Sequence, residues 1–171
     1  VGCDDDRVIL INSFSKTYAM TGWRIGYILS ANKEAMAQMI KVQYYITACS
    51  NDAMQYAVLT AINEADDYPD EMCAEFKARR DLICSRLNAM LGVQCHVPEG
   101  AFYVFPKVDV PGMTSEEVAI ELLKGGVLCS PGSAFGPSGE GHLRFAYTIS
   151  REDISLGMDK TEQVLKRLRG D

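Results

Sequence analysis

Lys16 stands in a stretch built for chemistry: Ser13-Phe14-Ser15-Lys16-Thr17-Tyr18-Ala19-Met20-Thr21-Gly22-Trp23-Arg24-Ile25-Gly26-Tyr27. A serine precedes the lysine by three positions and an arginine follows it by eight. Strand-like runs at 8–12 and 23–29 flank the lysine and predict that it lies on a loop between them. Amine, hydroxyl and guanidinium together suit a Schiff base with a phosphorylated aldehyde. The lysine condenses with the carbonyl, and Ser13 and Arg24 grip the phosphate. A protonated lysine is a poor nucleophile, but one desolvated beside other cations loses its proton more readily. An arginine fork matches phosphate oxygens at two points. Gly22 and Gly26 let the backbone turn sharply and approach a ligand. The competing reading is a solvated loop with ordinary surface charges. Against it stand the few charges in the stretch, its aromatic residues and the apolar strands on either side.

The elements around this stretch follow from pattern. The run at 7–12 is continuously apolar after Arg7, as in a buried parallel strand. Asn32 can cap a helix running to about Ile46, and Asn51 or Asp52 another running to about Ala65. A long helix is expected from about Asp70 to Leu91, with Met72, Phe76, Ile83, Leu87 and Met90 on one stripe and Gly92 as its stop. Short strands are expected at 94–97, 102–105, 127–130 and 142–148. Thr114 and Glu117 form a capping box for a helix ending at Gly125-Gly126. Ser150 with Asp153 starts a last helix striped by Ile154, Met158, Thr161, Leu165 and Leu168.

A second arginine, Arg144, interrupts the apolar strand at 142–148. It either faces outward on an alternating edge, where it is unremarkable, or aims a fork at a carboxylate. The loop 131–136 joins a proline-fixed turn, two glycines and Phe135, and it can cover a pocket and exclude water. Residues 100–105 can do the same from a neighbouring strand. Both segments are equally readable as turns with aromatics plugged into a core, and neither receives a catalytic role.

Three segments carry a resemblance: the lysine stretch 13–27, Pro98-Glu99-Gly100-Ala101-Phe102-Tyr103-Val104-Phe105-Pro106, and Pro131-Gly132-Ser133-Ala134-Phe135-Gly136 leading into Leu143-Arg144-Phe145-Ala146-Tyr147. In this order they resemble the class I/II aminotransferases, pyridoxal-phosphate enzymes of fold type I. The resemblance implies Lys16 as the Schiff-base lysine, Ser13 and Arg24 as phosphate ligands, and Arg144 as the ligand of the substrate α-carboxylate. It implies an amino acid and a 2-oxo acid as substrates, pyridoxal 5'-phosphate as cofactor, and a homodimeric parent enzyme. Some aspartate-specific members hold the side-chain carboxylate with an arginine between the two helices after the lysine. No arginine occurs between Ile25 and Ala78 here, and the family's proline near 50–52 is missing. The carboxylate expected at the pyridine nitrogen and the stacking aromatic come from before the lysine in the family. Asp4, Asp5 and Asp6 are candidates by type only.

Composition narrows the rest. The chain has 171 residues, 47% hydrophobic and 23% charged, which suits one to one-and-a-part globular domains. A net charge of -6 leaves no basic footprint for nucleic acid. No run has the length of a membrane span. The six cysteines (Cys3, Cys49, Cys73, Cys84, Cys95, Cys129) show no C-x-x-C spacing and accompany only two histidines, so no zinc site is expected. Cys95-His96 reads as a strand residue beside a surface one. Reduced thiols in a cytoplasmic protein are the expectation.

The expected fold class is α/β. Residues 1–66 read as the C-terminal remnant of a large parallel-sheet cofactor domain, and 67–171 as a small C-terminal α/β domain with a long leading helix. The lysine arrives early, which implies the C-terminal part of a longer enzyme that is inactive in isolation. Two other functions remain open: a fold type I carbon–sulfur lyase, which shares Lys16, Arg24 and Arg144, and a non-catalytic globular fragment.

Overall fold

A computed structural model describes residues 4–65 and 67–170. Cys3 and residue 66, where the domain division was expected, lie outside the described residues. The chain divides into two compact units, Val1–Met72 and Cys73–Asp171.

The first unit holds an antiparallel pair, β1 (Leu10–Ser13) and β2 (Gly26–Leu29), in the register Leu10↔Leu29 to Ser13↔Gly26. This corrects the expected buried parallel strand. Among the described residues, β1 pairs with β2 alone, antiparallel, and both strands are exposed along their length. A continuous apolar run signals two covered faces, and a two-stranded ribbon supplies no layer to cover them. β2 is also shorter than expected, because Thr21–Trp23 coils into a 3-10 turn ahead of it. Between the strands, Phe14–Thr17 forms a one-turn helix, α1, so Lys16 sits on a helical turn rather than an open loop. Two longer helices follow, α2 (Lys33–Thr47) and α3 (Asp52–Glu64). Each starts where a side-chain oxygen accepts an orphan amide: Asn32 Oδ1 from Ala35 N at 2.9 Å, and Asn51 Oδ1 from Ala53 N at 2.9 Å.

Helix α4 (Tyr68–Asn88) leads into the second unit. Its stripe is a core face, with Ile83 and Leu87 buried, Met90 buried just beyond its end, and Phe76 packed at the margin. The strand pairs are β3 (Val93–Gln94) with β5 (Lys107–Val108), and β4 (Tyr103–Val104) and β6 (Ser130–Pro131) on either side of β7 (Leu143–Ala146), all antiparallel. Two expected strands are shorter for visible reasons. β3 stops because the Asn88 side chain takes over the next residue: Cys95 N donates to its Oδ1 at 2.8 Å and its Nδ2 donates to Cys95 O at 2.9 Å. β6 begins at Ser130 because Val127 N still bonds back to Leu122 O at 2.9 Å, closing the preceding helix.

That helix, α5 (Ser115–Lys124), carries both halves of the Thr114–Glu117 capping box. The last helix, α6 (Arg151–Arg169), is capped by Ser150, whose Oγ accepts from Asp153 N at 3.0 Å. Their inward faces meet over β7. Leu122, Leu143, Leu165 and Ile154 are buried there, and the buried Tyr147 hydroxyl donates to Ala101 O at 2.9 Å. No helix among the described residues is long and apolar enough to cross a membrane.

Five cysteines among the described residues are free thiols. Cys84 and Cys95 lie buried with their sulfurs 3.8 Å apart. Burial, reinforced by Cys84, pushes the Cys95 thiol up to about 12, and burial pushes Cys129 up to about 11. His96 beside Cys95 is exposed.

Two outcomes follow from this core. Leu122→Ala leaves a cavity among α5, α6 and β7 and should lower unfolding free energy by about 2–5 kcal/mol, read from urea denaturation. A thiol reagent at pH 8 should label Cys49 and Cys73 rapidly, because they are exposed. Cys84, Cys95 and Cys129 should react only after denaturant is added, since they are shielded and un-ionised. Peptide mass spectrometry of the labelled protein separates the two groups.

Candidate functional site

Ser13 ends β1 and caps α1 at once. Its backbone is extended (φ -144°, ψ 152°), and its Oγ accepts from Ser15 N at 3.0 Å. Its own amide donates to Asn12 Oδ1 at 2.8 Å. Phe14 N reaches across to Ile25 O at 3.3 Å, and its ring packs on Tyr27, with centroids 5.5 Å apart. Lys16 lies one turn past Ser13, with an exposed side chain. The chain then folds back: Ala19 N bonds to Lys16 O at 3.3 Å, and Thr21 Oγ1 donates to Ser15 O at 2.8 Å.

Arg24 closes this turn in a left-handed conformation, φ +54°. Ala19 has the same φ. A non-glycine residue pays about 1–3 kcal/mol to sit there, a cost found where function demands a particular backbone path. The Arg24 guanidinium gives one donor to Thr21 O at 2.8 Å and has no carboxylate partner among the described residues. Two residues on, Gly26 faces Ser13 across the ladder, and a Cβ there would lie 2.5 Å from Asn12 O. Glycine is therefore what lets β2 bring the Arg24 end of the turn against Ser13. Ser13, Lys16 and Arg24 thus share one folded turn at the end of the β1–β2 ribbon.

An open cleft of about 720 Å³ lies in the same unit. Ser13, Phe14 and Tyr18 line it with Val58, Leu59 and Ile62 of α3. Lys16 and Arg24 do not, and the lining is mostly apolar, which suits packing rather than an anion. Of the three N-terminal aspartates, Asp5 is engaged by Arg7 at 2.6 Å, and that contact holds its carboxyl below the usual range.

Arg144 belongs to the second unit. It pairs with Ser130 on β6, and its strand neighbours Leu143 and Phe145 are buried on the opposite face. Alternation thus turns Arg144 away from the core, yet its side chain is held fast. The guanidinium carbon sits 4.5 Å from the ring centroids of both Tyr103 and Phe135, and Nη2 donates to Ser130 Oγ at 3.3 Å. Each ring contributes about 0.5–1 kcal/mol at such a partly open site. No carboxylate of the described residues pairs with this arginine. Two rings pack against the guanidinium, and its donors beyond the one given to Ser130 suit an acceptor such as a planar carboxylate. Tyr103 and Ser130 were missed as contributors in the sequence, although Tyr103 lies in the segment 98–106 and Ser130 ends the strand expected at 127–130. Phe135 was read only as a covering residue. The available signal was the pair of glycine- and proline-bearing segments, 98–106 and 131–136, that precede the arginine strand.

Comparison with known proteins agrees with these features. The model for aminotransferase class I and II matches residues 2–160. A probable aspartate aminotransferase of Methanocaldococcus jannaschii is 42% identical over 166 residues, covering 94% of this chain and 44% of that protein. Aromatic-amino-acid aminotransferase 2 of Thermococcus litoralis is 40% identical over 164 residues, covering 94% and 42%. The crystal structure of an aromatic aminotransferase from Pyrococcus horikoshii superposes with a TM-score of 0.88 at 39% identity, covering 95% of this chain and 44% of that one. The chain therefore spans less than half the length of these relatives, and its α/β architecture is that of part of a fold type I aminotransferase. With a lysine turn, an aromatic-clamped arginine strand and a family match over nearly its whole length, the chain belongs to the class I and II aminotransferases.

Proposed function

We propose that this chain is the C-terminal part of an aminotransferase that moves an amino group from an amino acid to a 2-oxo acid with pyridoxal 5'-phosphate. Residues 1–66 read as the end of its cofactor domain and 67–171 as its small domain. The observation that carries the reading is the folded turn that joins Ser13, Lys16 and Arg24.

The donor set fits the cofactor. Arg24 is a cation with no carboxylate partner among the described residues and with fork donors beyond the one given to Thr21. Ser13 adds a hydroxyl where Gly26 permits close backbone approach. Together they suit a phosphate dianion, and Lys16 one turn away suits an aldehyde. Pyridoxal phosphate, when bound, supplies that aldehyde and a ring that takes up the electron pair of the substrate α-carbon. Lys16 would hold the cofactor through its amine, and that amine, when free, would move the proton at the substrate α-carbon. The left-handed residues Ala19 and Arg24 fix the turn so that amine and fork need no reorganisation. Arg144 takes the α-carboxylate on the edge of its fork, and Tyr103 and Phe135 keep water from both faces. Exposed apolar side chains along α2, among them Ile40, Tyr44 and Tyr45, support burial against a second copy in a homodimer. We place the enzyme in the cytoplasm on its free thiols alone.

Two measurements on the full-length enzyme test this reading. Borohydride reduction with pyridoxal phosphate should leave a modified peptide containing Lys16, and Lys16→Ala should abolish both that adduct and the visible absorption band. An adduct on another lysine, with the band intact in Lys16→Ala, would overturn the assignment. Arg24→Ala removes charge-assisted contacts of about 1.5–3 kcal/mol and should weaken cofactor binding roughly 10- to 100-fold. Spectroscopic titration gives that number directly.

A further inference from the structure

Glu140 is an exposed residue just outside the arginine strand, yet its carboxylate is fully engaged. Ser115 N donates to Oε1 at 2.6 Å, Ser115 Oγ donates to Oε2 at 3.0 Å, and Gly141 N donates to Oε1 at 3.1 Å. Ser115 itself is buried at the start of α5. Its hydroxyl gives its proton to Glu140 and presents a lone pair to Ser133 N at 3.3 Å. Ser133 belongs to the turn Gly132–Phe135, whose last residue covers one face of Arg144.

The turn is narrow at its base. A Cβ on Gly132 would lie 2.0 Å from Gly139 O, and Gly132 N bonds to His142 O at 2.8 Å. Among the described residues its upper part has three ties beyond its own backbone: the bond from Ser133 to Ser115, the edge-on contact of Phe135 with Phe105, centroids 5.9 Å apart, and the contact of Phe135 with Arg144 itself. Thr114 and Glu117 form a complete capping box at the start of α5 on their own. Glu140 accepts the Ser115 amide that the box leaves unsatisfied, and the Ser115 hydroxyl carries the contact on to the turn. The hydrogen bonds from Ser115 and Gly141 hold the Glu140 carboxyl below the usual range, so the anchor stays ionised near neutrality.

We propose that Glu140 is a positioning residue for Arg144: through Ser115 and Ser133 it holds the Gly132–Phe135 turn so that Phe135 covers the guanidinium and leaves the edge of its fork presented to a carboxylate. The proposal rests on the reading of Arg144 as the substrate-carboxylate ligand. It adds a residue that never touches substrate but sets how well that ligand is preorganised.

The test uses the full-length enzyme with arginine side chains labelled with nitrogen-15. In Ser115→Ala and Glu140→Ala the Arg144 Nε–H resonance should leave its ring-shielded position, and the Kd for 2-oxoglutarate, by calorimetry, should rise roughly 3- to 10-fold. Glu140→Gln keeps an acceptor for Ser115 and should recover most of both signals. Ser115→Ala retains the Thr114–Glu117 box, so the α5 amide spectrum verifies folding. An Arg144 resonance unmoved in the folded variants overturns the proposal. Arg144→Ala separates the two claims: it should weaken 2-oxoglutarate roughly 100-fold or more. If it does not, the carboxylate reading fails, while the resonance still decides whether Glu140 places the arginine.

Discussion

A strand's side chains alternate, and the chain cannot bury Leu143 and Phe145 of β7, and Tyr147 just past its end, without turning Arg144 the other way. That constraint organises the second unit. The inward three meet Leu122, Ile154 and Leu165 in the core, so the strand's position is fixed by the largest hydrophobic contribution available. The outward arginine inherits that rigidity. Neighbouring strands bring Tyr103 from one side and Ser130 from the other, and the turn after β6 adds Phe135. The same hydrogen-bonded sheet thus packs the core on one face and builds a cation clamp on the other.

The lysine turn obeys a different constraint. No large core holds it, and its shape comes from local bonds: the Ser13 cap, the Thr21 hydroxyl on Ser15, and the Arg24 donor on Thr21. Two left-handed residues are the cost of folding the chain back within so few positions. Gly26 shows how tightly the two strands meet beside it. The net charge of -6 has no bearing on either cation. What matters for an anion is that neither Arg24 nor Arg144 spends its charge on a carboxylate of the described residues.

What the sequence revealed was local. Asn32, Asn51, Thr114 with Glu117, and Ser150 all begin helices because a cap acts within one turn of itself. The stripes of α4 and α6 were readable because helix periodicity needs only one buried face. The strands were harder. β3 ends at a side chain on α4, and β6 starts late because Val127 belongs to the closure of α5, so both limits depend on partners distant in the chain or in another element. Periodicity likewise could not say that the run before Ser13 pairs antiparallel and stays exposed, since an apolar run encodes the wish for cover and not its supply. The candidate residues Ser13, Lys16, Arg24 and Arg144 were legible as types in a pattern. The rings and hydroxyl around Arg144 became visible only with the register of three strands.

The two units differ in how far each sustains itself. Between Cys73 and the C-terminus, buried apolar residues form one connected core. In the first unit only Met20 and Val58 are buried among the described hydrophobics, while Ile11, Tyr44, Tyr45, Ile46 and Tyr56 are exposed by about two-thirds or more. Exposed apolar surface on this scale is a surface made for packing. The difference fits the two tasks. A carboxylate grip, as proposed for Arg144, needs only a stiff strand and its neighbours, which one core provides. On the proposed reading, a turn that presents an amine and a phosphate fork is stabilised by a ligand whose negative charge meets the Arg24 guanidinium. Stability and cofactor affinity are then linked, because anything that binds the formed turn and not the unfolded chain adds its binding free energy to the fold.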